Sequence, residues 1–237
     1  MSLAVRDEHV RELMDDPHCD PGRLAATLRR FAVVNRLVSG WSGVARRHLF
    51  PRLAALGRPA RVLDLGCGGG DVVTGLAALA RRAGLEVAWT GIDPDDRAIA
   101  VARARAAGGK LPDVQFHRAD AAALLEAGEQ FDAVLSNHTL HHLGDHLGEF
   151  MVQSRRLSRG IVLHSDIARS RAAYALYAVG ITPLAPGTFL RTDGLRSIRR
   201  SYTRDELQRV LDRDRPGVWD VHEPAPFRLL AKSTGDA

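Results

Sequence analysis

The sequence predicts an α/β fold on a mostly parallel sheet, and three observations predict it. A short apolar run at 61–65 leads straight into a glycine-rich loop and then into an amphipathic segment, which reads as strand, tight turn and helix. From 61 to 167 apolar runs of strand length alternate with helical patterns, and successive βα units call for parallel strands with right-handed crossovers. Near the end, two strand candidates at 218–222 and 226–232 are separated by only a short Pro-bearing turn. A chain of 237 residues suits one large α/β domain with added segments.

Taken in order, residues 1–60 read as a helical cap. Asp20 and Pro21 supply an N-cap and a first-turn proline ahead of Leu24, Leu28, Phe31, Val34 and Leu37, which recur at helical spacing. A second helix is expected after Ser42, running to Leu56 until Gly57 and Pro59 stop it. The remaining strands are expected at 86–92, 114–118, 131–136 and 160–165, and helices at 72–83, 95–107, 121–127 and 140–157, with Asp71 as N-cap of the first. Residues 169–202 form a long insertion holding Tyr174, Tyr177 and Phe189, and insertions near strand ends are commonly functional. A helix at 203–211 follows, with Thr203 as N-cap and Glu206 completing a capping box.

The glycine loop discriminates between ligand classes. No Gly-Lys-Ser/Thr ending is present, and the last glycine of a dinucleotide GxGxxG would fall on Asp71. The pattern that fits throughout is acidic-x-Gly-x-Gly-x-Gly, as Asp64, Gly66, Gly68 and Gly70. One βα unit on, Asp93 ends a strand before Pro94, at a distance suited to a carboxylate that accepts from both hydroxyls of a ribose. Asp120 ends the next strand, and Ser136, Asn137 and His138 the one after. These residues resemble motif I and its companions in the class I S-adenosylmethionine-dependent methyltransferases. The resemblance implies a Rossmann-like, seven-stranded sheet with an antiparallel last strand, spanning a catalytic domain at 61–237. It implies S-adenosyl-L-methionine as cofactor and S-adenosyl-L-homocysteine as product. Asp64, Gly66, Cys67, Gly68 and Gly70 would cradle the cofactor, Asp93 and Pro94 its ribose, Asp120 and Ala121 its adenine, with Ser136 and Asn137 beside the methyl group.

Bulk properties narrow the partners. Lys110 and Lys232 are the only lysines, so arginine carries the excess of +5, and the core at 61–190 holds thirteen basic against fourteen acidic residues. A near-neutral core without a basic stripe argues against a nucleic-acid substrate. The Pro-Pro-aromatic signature of base amino-group methylation is missing too, since His138, Thr139 and Leu140 stand in its place. Two cysteines and a charged N-terminus point to a reducing cytoplasm, and no run is long and apolar enough for stable membrane insertion. A homodimer stays open.

The remaining chemistry belongs to the acceptor. A phenol must lose a proton as it is methylated, and histidine suits that task near neutral pH. His138, His141 and His142 follow strand four, and Asp166 follows strand five, so each is a candidate base. The i, i+4, i+8 spacing of His138, His142 and His146 offers two ligands at most to one ion, so no metal is expected. The segment from Ser136 to Leu143 resembles the small-molecule branch that includes quinone-biosynthesis enzymes. Residues 14–41 and residues 193–207 resemble methyltransferases found beside bacterial type III polyketide synthases. The resemblance therefore implies methylation of a phenolic oxygen on a small aromatic or polyketide-derived acceptor. Methylation at a resorcinol or quinol ring carbon is the alternative, and a cofactor-binding partner protein without turnover is the second.

Overall fold

A computed structural model describes residues 3–236. Seven strands form one sheet in the order β3-β2-β1-β4-β5-β7-β6. They are β1 (Ala60–Leu65), β2 (Val87–Asp93), β3 (Val114–Arg118), β4 (Phe131–Asn137), β5 (Ser158–Ile167), β6 (Asp220–Ala225) and β7 (Arg228–Thr234). The first five are parallel, and β7 inserts antiparallel between β5 and β6. This is the Rossmann-like arrangement expected, with the chain reversing direction beside β1, where ligands of open α/β sheets collect.

Both faces of the sheet are covered, which is why its strands read as continuous apolar runs rather than alternating ones. Val62 packs to one side with Val73, Leu76 and Ile99, while Leu63 and Leu65 pack to the other with Phe131, Met151 and Leu207. The first side is covered by α4 (Asp71–Arg82) and α5 (Asp96–Gly108), with α2 (Trp41–Val44) and α3 (Phe50–Ala54) joined to it. The second is covered by α6 (Ala121–Glu126), α7 (Leu147–Arg156) and α10 (Arg204–Asp214). Above the carboxyl ends of the strands lie α1 (Pro21–Val38), α8 (Arg171–Gly180) and α9 (Leu190–Arg200). Local chemistry sets several of these ends. Asp20 accepts from the Arg23 amide at 2.7 Å, and Thr203 and Glu206 form the reciprocal capping box. A side-chain cap of this kind contributes about 1 kcal/mol.

Four local expectations are corrected. Residues 3–20 are bends and turns rather than helix. The helix expected from Ser42 starts after Gly40 (φ 71°) and passes through a π-turn at Ala45–Leu49 before Pro51, whose ring and missing N–H cannot continue a regular ladder. Asp71 is the first helical residue of α4, since Gly70 (φ 70°) is the N-cap, and its carboxylate accepts from Asn35 Nδ2 at 2.9 Å. The helix expected over 140–157 is two 3₁₀ turns, Leu140–His142 and Gly144–His146, followed by α7. Gly144 (φ 51°) separates them, so His138, His142 and His146 share no helical face.

The segment before α1 is fastened from outside. Asp193 of α9, 1 % exposed, accepts from the Leu13 amide at 2.8 Å and the Met14 amide at 3.0 Å. Replacing Asp193 with Ala should release residues 3–20 while the sheet holds. Hydrogen exchange is expected to rise at least tenfold in that segment and to stay slow in β1, β4 and β5.

Candidate functional site

A cleft of about 1020 Å³ opens above the carboxyl ends of β1, β2 and β4. At one end is the glycine loop. The Gly66 and Cys67 amides both donate to the Ile92 carbonyl at 2.9 Å, which ties the loop to the end of β2. Asp93 braces it from the same side, accepting from the Gly68 amide at 3.0 Å and the Asp95 amide at 2.9 Å. Gly70 is needed for space as well as for its positive φ, since a Cβ there would lie 2.5 Å from Phe116 Cζ.

Three carboxylates gather around this loop, and the cation beside them is Arg105, which donates to the Gly69 carbonyl at 2.8 Å and acts on Asp71. Asp64 is 2 % exposed, its Oδ1 has no partner, and burial, reinforced by Asp71 and Asp93, pushes its carboxyl up to about 8. Burial also raises Asp71 and Asp93, against the bonds each accepts. An orphaned buried oxygen beside a glycine cradle is what a cationic ligand with an amino group would satisfy. Burial raises the Cys67 thiol far above its ordinary range, which leaves it a small apolar wall residue.

Away from the carboxylates the cleft wall turns apolar. Leu28 of α1 packs on Gly69 of the loop, Phe31 and Val34 pack with Tyr177 of α8 and with Ile181, and Ala173 and Leu176 extend that wall. Tyr177 is pinned by its hydroxyl, which donates to the Leu190 carbonyl at 2.8 Å. Phe189 instead packs beneath α1 with Leu24 and Leu28, and Tyr174 lies off the cleft wall.

The histidines line the same cleft. His138 has φ 60°, held by its amide bond to the Ser165 carbonyl (2.9 Å) and by Arg228, whose Nη1 donates to His138 Nε2 at 2.9 Å. Burial, then the charge of Arg228, holds His138 well below the ordinary histidine range, so it is neutral. The same Arg228 donates to Asn137 Oδ1 at 2.7 Å, which also accepts from Trp41 Nε1 at 3.0 Å. His141 is 1 % exposed with both nitrogens engaged: Nδ1 lies 2.7 Å from Asp166 Oδ1 and Nε2 3.2 Å from Glu12 Oε1. Burial opposes its charge, but the two carboxylates outweigh burial and raise it to about 9. Asp166 is pulled below its ordinary range by His141 in spite of burial, and its Oδ2 also accepts from the His141 amide at 2.9 Å. His142 has the more open ring, with Nε2 3.5 Å from Glu12 Oε1 and Nδ1 3.3 Å from Asp15 Oδ2.

Of the residues expected from sequence, Asp64, Gly66, Cys67, Gly68, Asp93 and Pro94 line the cleft, as do Asn137, His138, His141 and His142. Gly70, Asp120, Ala121, Ser136 and Asp166 are outside its wall. Asp120 caps α6 by accepting from the Ala123 amide at 2.9 Å, and Ser136 bonds His164 in the core at 2.8 Å. Sequence reasoning missed Glu12, Asp15, Asn35, Trp41 and Arg228. No local signal marks Glu12, because the partner that explains it is 129 positions away.

Residues 62–159 match a family of methyltransferase domains. Among curated relatives, a ubiquinone biosynthesis O-methyltransferase of Dinoroseobacter shibae is 32 % identical over 154 residues, covering 64 % of this chain and 58 % of the relative. One from a Ruegeria species is 36 % identical over 121 residues, covering 51 % and 46 %. The chain thus spans about half the length of the curated relatives it matches. In fold it resembles an O-methyltransferase family protein from Burkholderia thailandensis (TM-score 0.61, 16 % identity, 89 % of this chain and 58 % of that one). It also resembles a plantazolicin methyltransferase solved with a triazolic desmethylPZN analog and SAH (TM-score 0.59, 14 % identity, 89 % and 90 %).

Gly70→Ala should destabilise the fold by about 2 kcal/mol or more, from positive-φ strain plus overpacking against Phe116. Gly75→Ala, in open space on α4, should be neutral or stabilising by up to about 1 kcal/mol. Urea unfolding of the two variants checks the contrast.

Proposed function

We propose that this chain, whose residues 62–159 match a family of methyltransferase domains, is an S-adenosylmethionine-dependent methyltransferase of class I that methylates a phenolic oxygen of a small, largely apolar aromatic acceptor. The observation that carries this is the division of one cleft: three carboxylates against one cation at the glycine loop, an apolar chamber under α1 and α8, and histidines lining the same cleft. The relatives named ubiquinone biosynthesis O-methyltransferases support oxygen as the nucleophile and an aromatic ring as its carrier.

When bound, the cofactor supplies an activated methyl on a positively charged sulfur. Asp93 would accept from its ribose hydroxyls, while the glycines admit the ligand against backbone. Asp64, the buried acid with a free oxygen, would meet the cationic amino-acid end. The chamber side chains would hold the ring and exclude water, leaving its hydroxyl at the histidine segment. Positioning of this kind contributes much of the rate of a two-substrate transfer. We assign His142, which lines the cleft with a more open ring than His141, the contact with the hydroxyl. His141 and Asp166, tied to each other, would orient the segment instead. His138, whose Nε2 already accepts from Arg228, would do the same.

Labelled S-adenosylmethionine offered with resorcinols, hydroquinones and naphthols, with and without alkyl tails, should yield a labelled methoxy group by NMR. Label on ring carbon would replace this reading with carbon methylation. Absence of label from protein that binds S-adenosylhomocysteine would end the phenolic assignment. In active protein, His142→Ala should lower kcat by about 10²–10⁴ with cofactor affinity retained.

Cofactor binding should depend on pH through Asp64. Its carboxyl, near 8 in the free protein, is protonated below that value, and a cationic ligand favours the carboxylate. Affinity for S-adenosylmethionine should therefore rise with pH from 6 toward 8, by up to about tenfold per unit, and fall again above about 8 as the ligand's own α-amino group loses its proton. Calorimetry at several pH values checks this, and Asp64→Asn should flatten the rise.

A further inference from the structure

We infer that Glu12, His141 and His142 form a site for a transition-metal dication of the zinc class on the wall of the cleft. Their ligand atoms all lie within 4.8 Å of one another. The two imidazole Nε2 atoms converge on one carboxylate oxygen, Glu12 Oε1, at 3.2 and 3.5 Å. Ligands placed 2.0–2.1 Å from a tetrahedral ion are separated by about 3.3 Å, so these separations suit a shared ion.

The atoms behind the ligands strengthen the case. A metal-bound histidine generally donates its other ring N–H to a carboxylate, which fixes the tautomer and the ring plane. Both rings have one: His141 Nδ1 is 2.7 Å from Asp166 Oδ1, and His142 Nδ1 is 3.3 Å from Asp15 Oδ2. Glu12 Oε1 is held in turn by the Ser197 hydroxyl at 2.6 Å.

Charge agrees with geometry. Glu12, Asp15 and Asp166 face these rings, against which stands Arg200, 3.5 Å from Asp15 Oδ2 and 3.4 Å from His142 Nδ1. Arg228 acts on Asp166 as well, so with both imidazoles neutral three carboxylates face two guanidiniums and the group stays net negative, which favours a cation. Two histidines and one carboxylate suit Zn²⁺ or Co²⁺ over Mg²⁺ and leave coordination positions open toward the cleft. An open position beside the apolar chamber would take the acceptor's oxygen and hold it as phenolate, its proton released to water in the cleft; in this metal-bound form His142 serves as ligand in place of its direct contact with the hydroxyl. That role rests on the methyl-transfer reading; binding of the ion does not.

Chelator-stripped protein titrated with Co²⁺ tests it. One ion per chain should bind with micromolar or tighter affinity, develop visible d–d absorption, and be displaced by Zn²⁺. Glu12→Gln and His142→Gln, checked as folded by circular dichroism, should each weaken binding at least a hundredfold. Asp15→Asn should weaken it about tenfold. Failure of Co²⁺ to bind in stoichiometric amount, or binding unchanged in Glu12→Gln and His142→Gln, overturns the site. Stripping should also abolish methyl transfer without altering S-adenosylmethionine affinity, and Zn²⁺ or Co²⁺ should restore it. Activity indifferent to stripping would remove the ion's role in transfer, while Co²⁺ binding with no acceptor methylated would overturn the phenolic reading and keep the site.

Discussion

The ion pairs around His141 are the constraint on which the upper half of the molecule depends. Glu12 and Asp166 are both buried, far apart in the sequence, and the ring of His141 lies between them. An unpartnered buried ion costs several kcal/mol, and removing one member of such a set typically costs about 3–5 kcal/mol. The segment before α1, the turns after β4 and the end of β5 must therefore close on one another together. Other bonds follow the same path. Arg6 donates to the His141 and Arg200 carbonyls, Arg200 donates to the His142 carbonyl, and Ser197 bonds Glu12.

This closure explains why the cleft has two characters. At the glycine loop the backbone is drawn tight by Asp93 and by Arg105, which donates to the Gly69 carbonyl at 2.8 Å, and Leu28 of α1 packs directly on Gly69. Farther along α1, Phe31 and Val34 turn from the loop to pack with Tyr177 of α8 and with Ile181. Polar groups without partners collect at the first end, where Asp64 Oδ1 and Asn35 Oδ1 lack bonds. Apolar surface collects at the second. A ligand with a charged, hydrogen-bonding body and an acceptor with a greasy ring would sort themselves accordingly.

Residue by residue, legibility follows the range of the interaction involved. The turn from β1 into α4 could be read because its causes are adjacent in sequence: an apolar run, then glycines whose positive φ the turn requires. The cap at Asp20 and the box at Thr203 and Glu206 are likewise complete within four residues. Asp71 was misplaced by one position because Gly70 takes the cap, and the use of its carboxylate depends on Asn35, thirty-six residues earlier. The histidine run was read as a helix because its spacing fits one. His138 at φ 60°, bound to Arg228, and Gly144 at φ 51° break it.

What the sequence by itself determined is the parallel sheet, its glycine loop and the acidic residues at its strand ends, because patterning, turn chemistry and capping act over a few residues. Only the tertiary structure decided which side chains complete the cleft. Glu12 lies in a stretch with no regular periodicity, and Arg228 sits at the start of an edge-side hairpin. Each has meaning only through partners 63 or more positions away. Burial drives that difference: a charge removed from water must find a partner, and the partner is whichever residue the packed sheet brings within 3 Å or so, not one that its own neighbours in sequence specify.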